Sequence, residues 1–333
     1  MKTVRLGMIG CGSMSRFHGK VYTTQVKNAE IVALCDTHPG NLDQYQREIF
    51  DPIRQRPPQF ADYRDMLAKV KMDAVFIVTP HAHHYQQVMD SLDAGCQVFV
   101  EKPMVLGSAE ARGIIKQAEK RNRILSVAFP GTFSAEFQYI RGLMDKGELG
   151  DAITASAFVT QAWKRITKDT WRQDPKLAGG GEAFDSGAHA FNALLYLVNS
   201  RPAEVFAWTN NRGAPVDITC TASIRYENGA LGTATINGDS VLGWEQGIRV
   251  SFTKGEIETG IHGGRLQQWG ADGRPVKYPP VPAVRSLQQW FIDCVLGKVE
   301  DPAPAVWGLR QSLFYEALYE SARTGKAVKV EKE

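Results

Sequence analysis

No apolar run in this 333-residue chain approaches the roughly 20 residues of a membrane-spanning helix, so nothing predicts insertion into a bilayer. Dense cationic clusters are missing too. With 39 Lys and Arg against 36 Asp and Glu, the formal charge of +3 calls for neither nucleic acid nor an acidic partner. The five cysteines (Cys11, Cys35, Cys96, Cys220, Cys294) are scattered and form no Cys-x-x-Cys pair. Cys11, Cys35 and Cys96 fall in or beside predicted strands, which suits buried free thiols in a reducing compartment. Repeats and low-complexity tracts are absent. The N-terminus enters a strand at once, leaving no room for a signal peptide, so a cytoplasmic setting is expected.

What is there is length enough for two domains of roughly 100–200 residues each, and a strong organising stretch, Gln97-Val98-Phe99-Val100-Glu101-Lys102-Pro103. Val98, Phe99 and Val100 read as a buried strand of a parallel sheet, and Pro103 ends it because proline cannot donate to a ladder. Lys102 then stands at the carboxyl end of a strand, where open α/β sheets bind ligands. Taken alone it is either a chemical group or a lysine snorkelling from a strand end.

Upstream, a strand Val4–Ile9 delivers Gly10-Cys11-Gly12-Ser13-Met14-Ser15, followed by a helix and by a strand ending at Asp36. Glycines in that place permit a tight turn and close backbone approach, and the helix N-terminus faces a pyrophosphate. Ser15 replaces the third glycine with another small residue. Asp36 suits the ribose hydroxyls and repels a 2′-phosphate, which predicts NAD, with NADP less favoured. A helix is expected over residues 41–50. A further strand, Asp73–Val78, ends at Thr79-Pro80-His81-Ala82-His83-His84. With no cysteine or carboxylate set beside them, these histidines suggest a cofactor-lining loop rather than a metal site. Strand and helix alternate up to about residue 128, which predicts a doubly wound domain over 1–128.

From Pro130 strands follow one another, at 153–163, 203–210, 218–226, 230–236, 248–252 and 264–269, predicting a large, mostly antiparallel open sheet in an α+β domain over 129–285. Too few helices remain there to cover both of its faces, so a homodimer or homotetramer is expected. One insertion breaks the series: Trp171-Arg172, then Gly179-Gly180-Gly181 leading through Asp185 to His189. Asp185 and His189 are four apart and share one face if both are helical. Trp163, Trp171 and Arg172 offer either a stacking face and polar clamp or plain core packing. Two helices, within 286–333, close the chain and are expected to pack partly back on the first domain.

Gly10-Cys11-Gly12, Thr79-Pro80, Glu101-Lys102-Pro103 and Gly179 through His189, in this order, resemble the Gfo/Idh/MocA oxidoreductase family over essentially the whole chain. The resemblance implies a Rossmann domain, a second α+β domain with a large open sheet, and NAD(P) between them. It implies Lys102, Asp185 and His189 as the catalytic set and a cis Lys102–Pro103 bond. His81, Pro130-Gly131-Thr132 and Asn192 depart from the family's usual residues, all toward the substrate side.

On this reading Gly10, Gly12, Ser13, Met14, Asp36, Thr79, Pro80, His81, His84, Glu101, Lys102 and Arg172 hold the cofactor. Lys102, Trp163, Arg172, Asp185 and His189 meet a sugar or polyol. The expected reaction is dehydrogenation of a secondary alcohol, with His189 as general base and Lys102 favouring the developing alkoxide. The alternative is redox-neutral glycosidase or lyase chemistry through a transient keto-sugar on tightly bound NAD.

Overall fold

The structure, a computed structural model, describes residues 2–278 and 285–333. The chain forms two compact units. The first comprises Met1–Val105, Ala109–Ala128 and Arg285–Gly308; the second comprises Leu106–Ser108, Phe129–Val284 and Leu309–Glu333. The C-terminal stretch is thus divided between them, residues 285–308 in the first and 309–333 in the second.

In the first unit the order is β1 (Val4–Ile9), α1 (Ser13–Thr24), β2 (Ala29–Cys35), α2 (Pro39–Tyr45), β3 (Gln59–Phe60), α3 (Tyr63–Lys69), β4 (Ala74–Ile77), α4 (His84–Asp93), β5 (Gln97–Glu101), α5 (Ser108–Arg121) and β6 (Leu125–Ala128). The six strands are all parallel, in the order β3-β2-β1-β4-β5-β6. All four residues of β4 are buried, as are Val98 to Glu101 of β5; this is why the pattern reads as continuous rather than alternating. The order reverses direction between β1 and β4, so ligands are expected at their carboxyl ends, where Gly10 and Thr79 stand, with Lys102 at the end of the neighbouring β5.

The structure departs from the sequence reading at two places. The helix expected over 41–50 begins earlier, at Pro39, whose fixed φ suits a first turn, and ends at Tyr45. Gln46–Phe50 then widens into a π-turn that leaves Ile49 and Phe50 buried and stacks Phe50 on Tyr45. The two-residue β3 is too short to carry any periodicity, and the sequence did not suggest it.

The second unit holds α6 (Pro130–Phe133), α7 (Ala135–Asp145), β7 (Ala152–Thr160), α8 (Trp163–Ile166), α9 (Pro175–Ala178), α10 (Gly187–Val198), β8 (Pro202–Asn210), β9 (Thr219–Tyr226), β10 (Leu231–Asn237), β11 (Glu245–Phe252), β12 (Gly255–Thr259) and β13 (Gln267–Gly270). After α11 (Leu287–Val295), which belongs to the first unit together with Phe99, on which its Phe291 stacks, come α12 (Ala305–Thr324) and β14 (Val328–Lys329). The sheet order is β13-β12-β11-β7-β10-β9-β8-β14. Every pair is antiparallel except β7 with β10.

α10 packs against β7, β10 and β11. Alternation along β9 buries Cys220, Ala222, Ile224 and Tyr226 and exposes Thr221, Ser223 and Arg225. Phe158, Trp208 and Leu231 are exposed, each at the outward step of such an alternation. The expected strand over 153–163 stops at Thr160, and Trp163 instead opens α8. β12 and β14 were not anticipated.

All five cysteines are free and buried. Among the described residues no helix is long and apolar enough to cross a membrane.

Candidate active site

The turn after β1 is built by two glycines used differently. Gly10 has φ +90°, and a Cβ there would lie 2.3 Å from the Val78 carbonyl oxygen, so only glycine fits. At Gly12 a Cβ would meet nothing within 4 Å, leaving open space over the backbone. Gly12 also caps α1 without a side chain, so the amides of that helix end, where Ser13 and Met14 lie exposed, are uncapped by side chains. An open cradle at a helix N-terminus suits a pyrophosphate. Asp36, at the end of β2, is fixed by the Cys11 amide (2.8 Å to Oδ2), the His38 amide (2.8 Å to Oδ1) and the Asn41 side chain, placing a carboxylate beside that cradle. These residues fit a dinucleotide.

Glu101 ends β5, and both of its oxygens are engaged. Oε1 lies 2.8 Å from His18 Nε2, and Oε2 accepts the Lys102 amide at 3.0 Å. Burial alone would raise its pKa, but the His18 hydrogen bond and the neighbouring Lys102 charge hold it below the ordinary glutamate value. Lys102 is half-buried, and its bond to Pro103 is cis.

His84, expected to touch the cofactor, is fully buried in the protein. Its Nδ1 lies 3.0 Å from the Pro103 carbonyl and 3.2 Å from that of Met104, and its Nε2 lies 3.0 Å from the Thr79 carbonyl. It therefore ties the loop after β4 to the loop after β5. Burial pushes its pKa down although the carbonyls favour the charged form, and a neutral ring donates from only one nitrogen. His81 is buried with its ring against His84; Thr79 donates to Gln87, and Pro80 is half-buried.

In the second unit, the glycine run is anchored from behind. Asp217 accepts the amides of Gly181 (2.7 Å) and Ala183 (2.9 Å) and the Tyr319 hydroxyl (2.9 Å), and burial raises its pKa. A Cβ at Gly181 would lie 1.8 Å from the Asp217 carbonyl oxygen, so nothing larger fits there.

Asp185 is not helical: it stands in the turn before α10, and only His189 is on the helix, so the two do not share a helix face. Asp185 Oδ2 accepts the Trp163 indole N–H at 2.9 Å and Arg172 Nε at 3.1 Å. Trp163 offers no stacking face: it is 2 % exposed, packs with Val216 and Ile218, and commits its indole N–H to Asp185. Arg172 lies over the Trp171 ring at 4.5 Å.

Every residue of α10 is buried except His189. Its ring meets His262 edge to face at 4.2 Å, and Trp244 lies beyond His262 at 5.5 Å. His262, Trp244, His18 and Gln288 escaped the sequence reading; the glycines flanking His262 are the sole local hint. Two of the residues that depart from the family's usual pattern are joined, Thr132 donating to Asn192 at 3.1 Å. Among the described residues no group of three or more His, Cys, Asp or Glu could hold a metal ion.

Residues 4–129 match the family model described as "Oxidoreductase family, NAD-binding Rossmann fold", and residues 137–258 match the GFO/IDH/MocA C-terminal domain. The chain belongs to the Gfo/Idh/MocA oxidoreductase family.

In this family member the first unit is the NAD-binding Rossmann fold, and NAD is the cofactor. It is 26 % identical over 266 residues to scyllo-inositol 2-dehydrogenase (NAD(+)) of Bacillus subtilis, covering 77 % of this chain and 74 % of that protein. Over 198 residues it is 28 % identical to D-glucoside 3-dehydrogenase of Escherichia coli, covering 59 % of this chain and only 54 % of that one. Its fold matches the WlbA dehydrogenase from Bordetella pertussis, solved with NADH and UDP-GlcNAcA, with a TM-score of 0.84, 23 % identity and full coverage of both chains.

Proposed function

We propose that this Gfo/Idh/MocA protein is an NAD-dependent dehydrogenase of a secondary alcohol on a sugar or polyol. The observation that carries this reading is His189, the one residue of an otherwise buried helix left with exposed surface. An imidazole so placed suits a general base, since its ordinary pKa of about 6.5 lets it take and release a proton near neutrality. The relatives named as inositol and glucoside dehydrogenases support the substrate class.

His189 takes the hydroxyl proton. Asp185, held by Trp163 and Arg172, keeps a buried carboxylate for the substrate or for the imidazolium that forms. Lys102 supplies positive charge to the oxygen as it gains alkoxide character. Bound NAD would supply the acceptor for the hydride of the same carbon. Gly10, Gly12, Ser13 and Met14 would hold its pyrophosphate and Asp36 its ribose.

An NAD-coupled absorbance screen over polyols, aldoses, glycosides and anhydrosugars tests the reading. NADH accumulating in proportion to substrate consumed is the expected result. Substrate consumed with no net NADH would overturn it in favour of redox-neutral chemistry.

A further inference from the structure

The region behind Lys102 holds a buried polar chain that the proposed reaction does not use. Gln288, on α11, lies 2.6 Å through Nε2 from His18 Nδ1; His18, on α1, lies 2.8 Å through Nε2 from Glu101 Oε1; Glu101 Oε2 accepts the Lys102 amide at 3.0 Å. His18 is 1 % exposed, Gln288 2 % and Glu101 9 %. All belong to the first unit. An amide nitrogen only donates, so Nδ1 accepts from Gln288 and the ring proton sits on Nε2, aimed at Glu101. Each group fixes the next.

We propose that His18 and Gln288 are positioning residues for Lys102, acting through the Glu101 carboxylate. This rests on the role given to Lys102 above. The physical ground is the cost of a buried charge. A carboxylate out of water keeps its charge only while hydrogen bonds and cations hold it. The groups that face Glu101 are His18 from α1, Lys102 beside it and His84 from α4. Of these, His18 alone hydrogen-bonds Oε1 with a side chain whose tautomer a further residue sets. Without it, Glu101 takes up a proton on the neutral side of its ordinary range, and the Lys102 backbone loses the anion that holds its amide.

The test reads the Lys102 amide by ¹H–¹⁵N NMR of the full chain between pH 5 and 8, without cofactor. In the parent protein and in His18→Gln, which keeps a donor near the position of Nε2, the Lys102 amide should share no titration with the Glu101 carboxyl ¹³C signal. In His18→Phe it should titrate together with the Glu101 carboxyl ¹³C signal. With NAD and the substrate that turns over fastest in the screen, kcat of His18→Phe should fall about 10–100-fold, the range seen when outer hydrogen-bond partners are lost at metal sites. His18→Gln should recover most of it.

Should His18→Phe fail to fold, Glu101→Gln carries the test: the Lys102 amide should move upfield and exchange faster, with a similar loss of kcat. A Lys102 amide that does not respond in either variant overturns the proposal. Lys102→Met separates the two levels. If it keeps parent kcat, the role of Lys102 itself is wrong; if it loses activity while His18→Phe and Glu101→Gln do not, only the positioning role is.

Discussion

Arg172 Nε lies 3.1 Å from Asp185 Oδ2, the same oxygen that takes the Trp163 indole N–H at 2.9 Å. A carboxylate this buried and doubly held has one orientation. Trp163→Phe keeps the packing and removes one donor, leaving the carboxylate short of a partner. It should cost about 1–3 kcal/mol in urea unfolding. It should also lower kcat while leaving the NAD dissociation constant within a few-fold. Parent kcat in a folded Trp163→Phe would mean that the orientation of Asp185 does not matter to turnover.

His189→Ala should lower kcat by about 10²–10⁴, the usual range for loss of a general base. NAD affinity should hardly change, because the dinucleotide residues are all proposed in the first unit save Arg172. The parent rate should rise with pH as the base loses its proton, and that rise should vanish in the variant. A folded His189→Ala with the parent's pH profile excludes His189 as the base.

Asp36 carries the nucleotide preference. Each hydrogen bond to its carboxylate is worth roughly 1.5–3 kcal/mol, and a 2′-phosphate would meet its charge instead. Asp36→Ala should lower kcat/KM for NAD by tenfold or more and raise the NADP to NAD ratio. If the parent already uses NADP as well as NAD, this assignment fails.

Asp301 gives a stability prediction with a definite sign. It is half-buried, accepts from Ser126 Oγ and the Ala303 amide at 2.9 Å each, and desolvation of its carboxyl raises the pKa from 3.8 to about 6. Because the folded value lies above the unfolded one, its protonated form favours the fold. That contribution is full below pH 4 and is lost as pH rises through about 6. Asp301→Asn retains both acceptor bonds without the charge. It should leave stability nearly unchanged near pH 4 and increase it at pH 7.5, by up to about 3 kcal/mol for two pKa units. Denaturant midpoints at the two pH values decide it; equal changes at both would refute the linkage.

The outward face of the second sheet should mediate self-association. Phe158 is 44 % exposed, Trp208 59 % and Leu231 54 %, and apolar side chains gathered on an open sheet face favour a partner. Light scattering at micromolar concentration should report a dimer or tetramer, and Trp208→Glu with Phe158→Glu should shift it toward monomer. A monomeric parent would sink the idea.

Local pattern determined much of this protein. Continuous apolar runs make buried parallel strands, glycines and proline mark where they stop, and those stops place Gly10, Asp36, Thr79 and Lys102 at strand ends. Such features were legible because each depends on a few neighbouring residues. The tertiary structure decided the rest. Glu101 meets His18 across 83 residues, and His18 meets Gln288 across 270. His262 reaches the ring of His189, Trp163 turns inward to Asp185, and Asp185 itself falls outside the helix that its spacing from His189 suggested. Periodicity records which face of an element is apolar. It holds no record of which distant polar group will satisfy a buried carboxylate, because that pairing exists only once the core has closed around both.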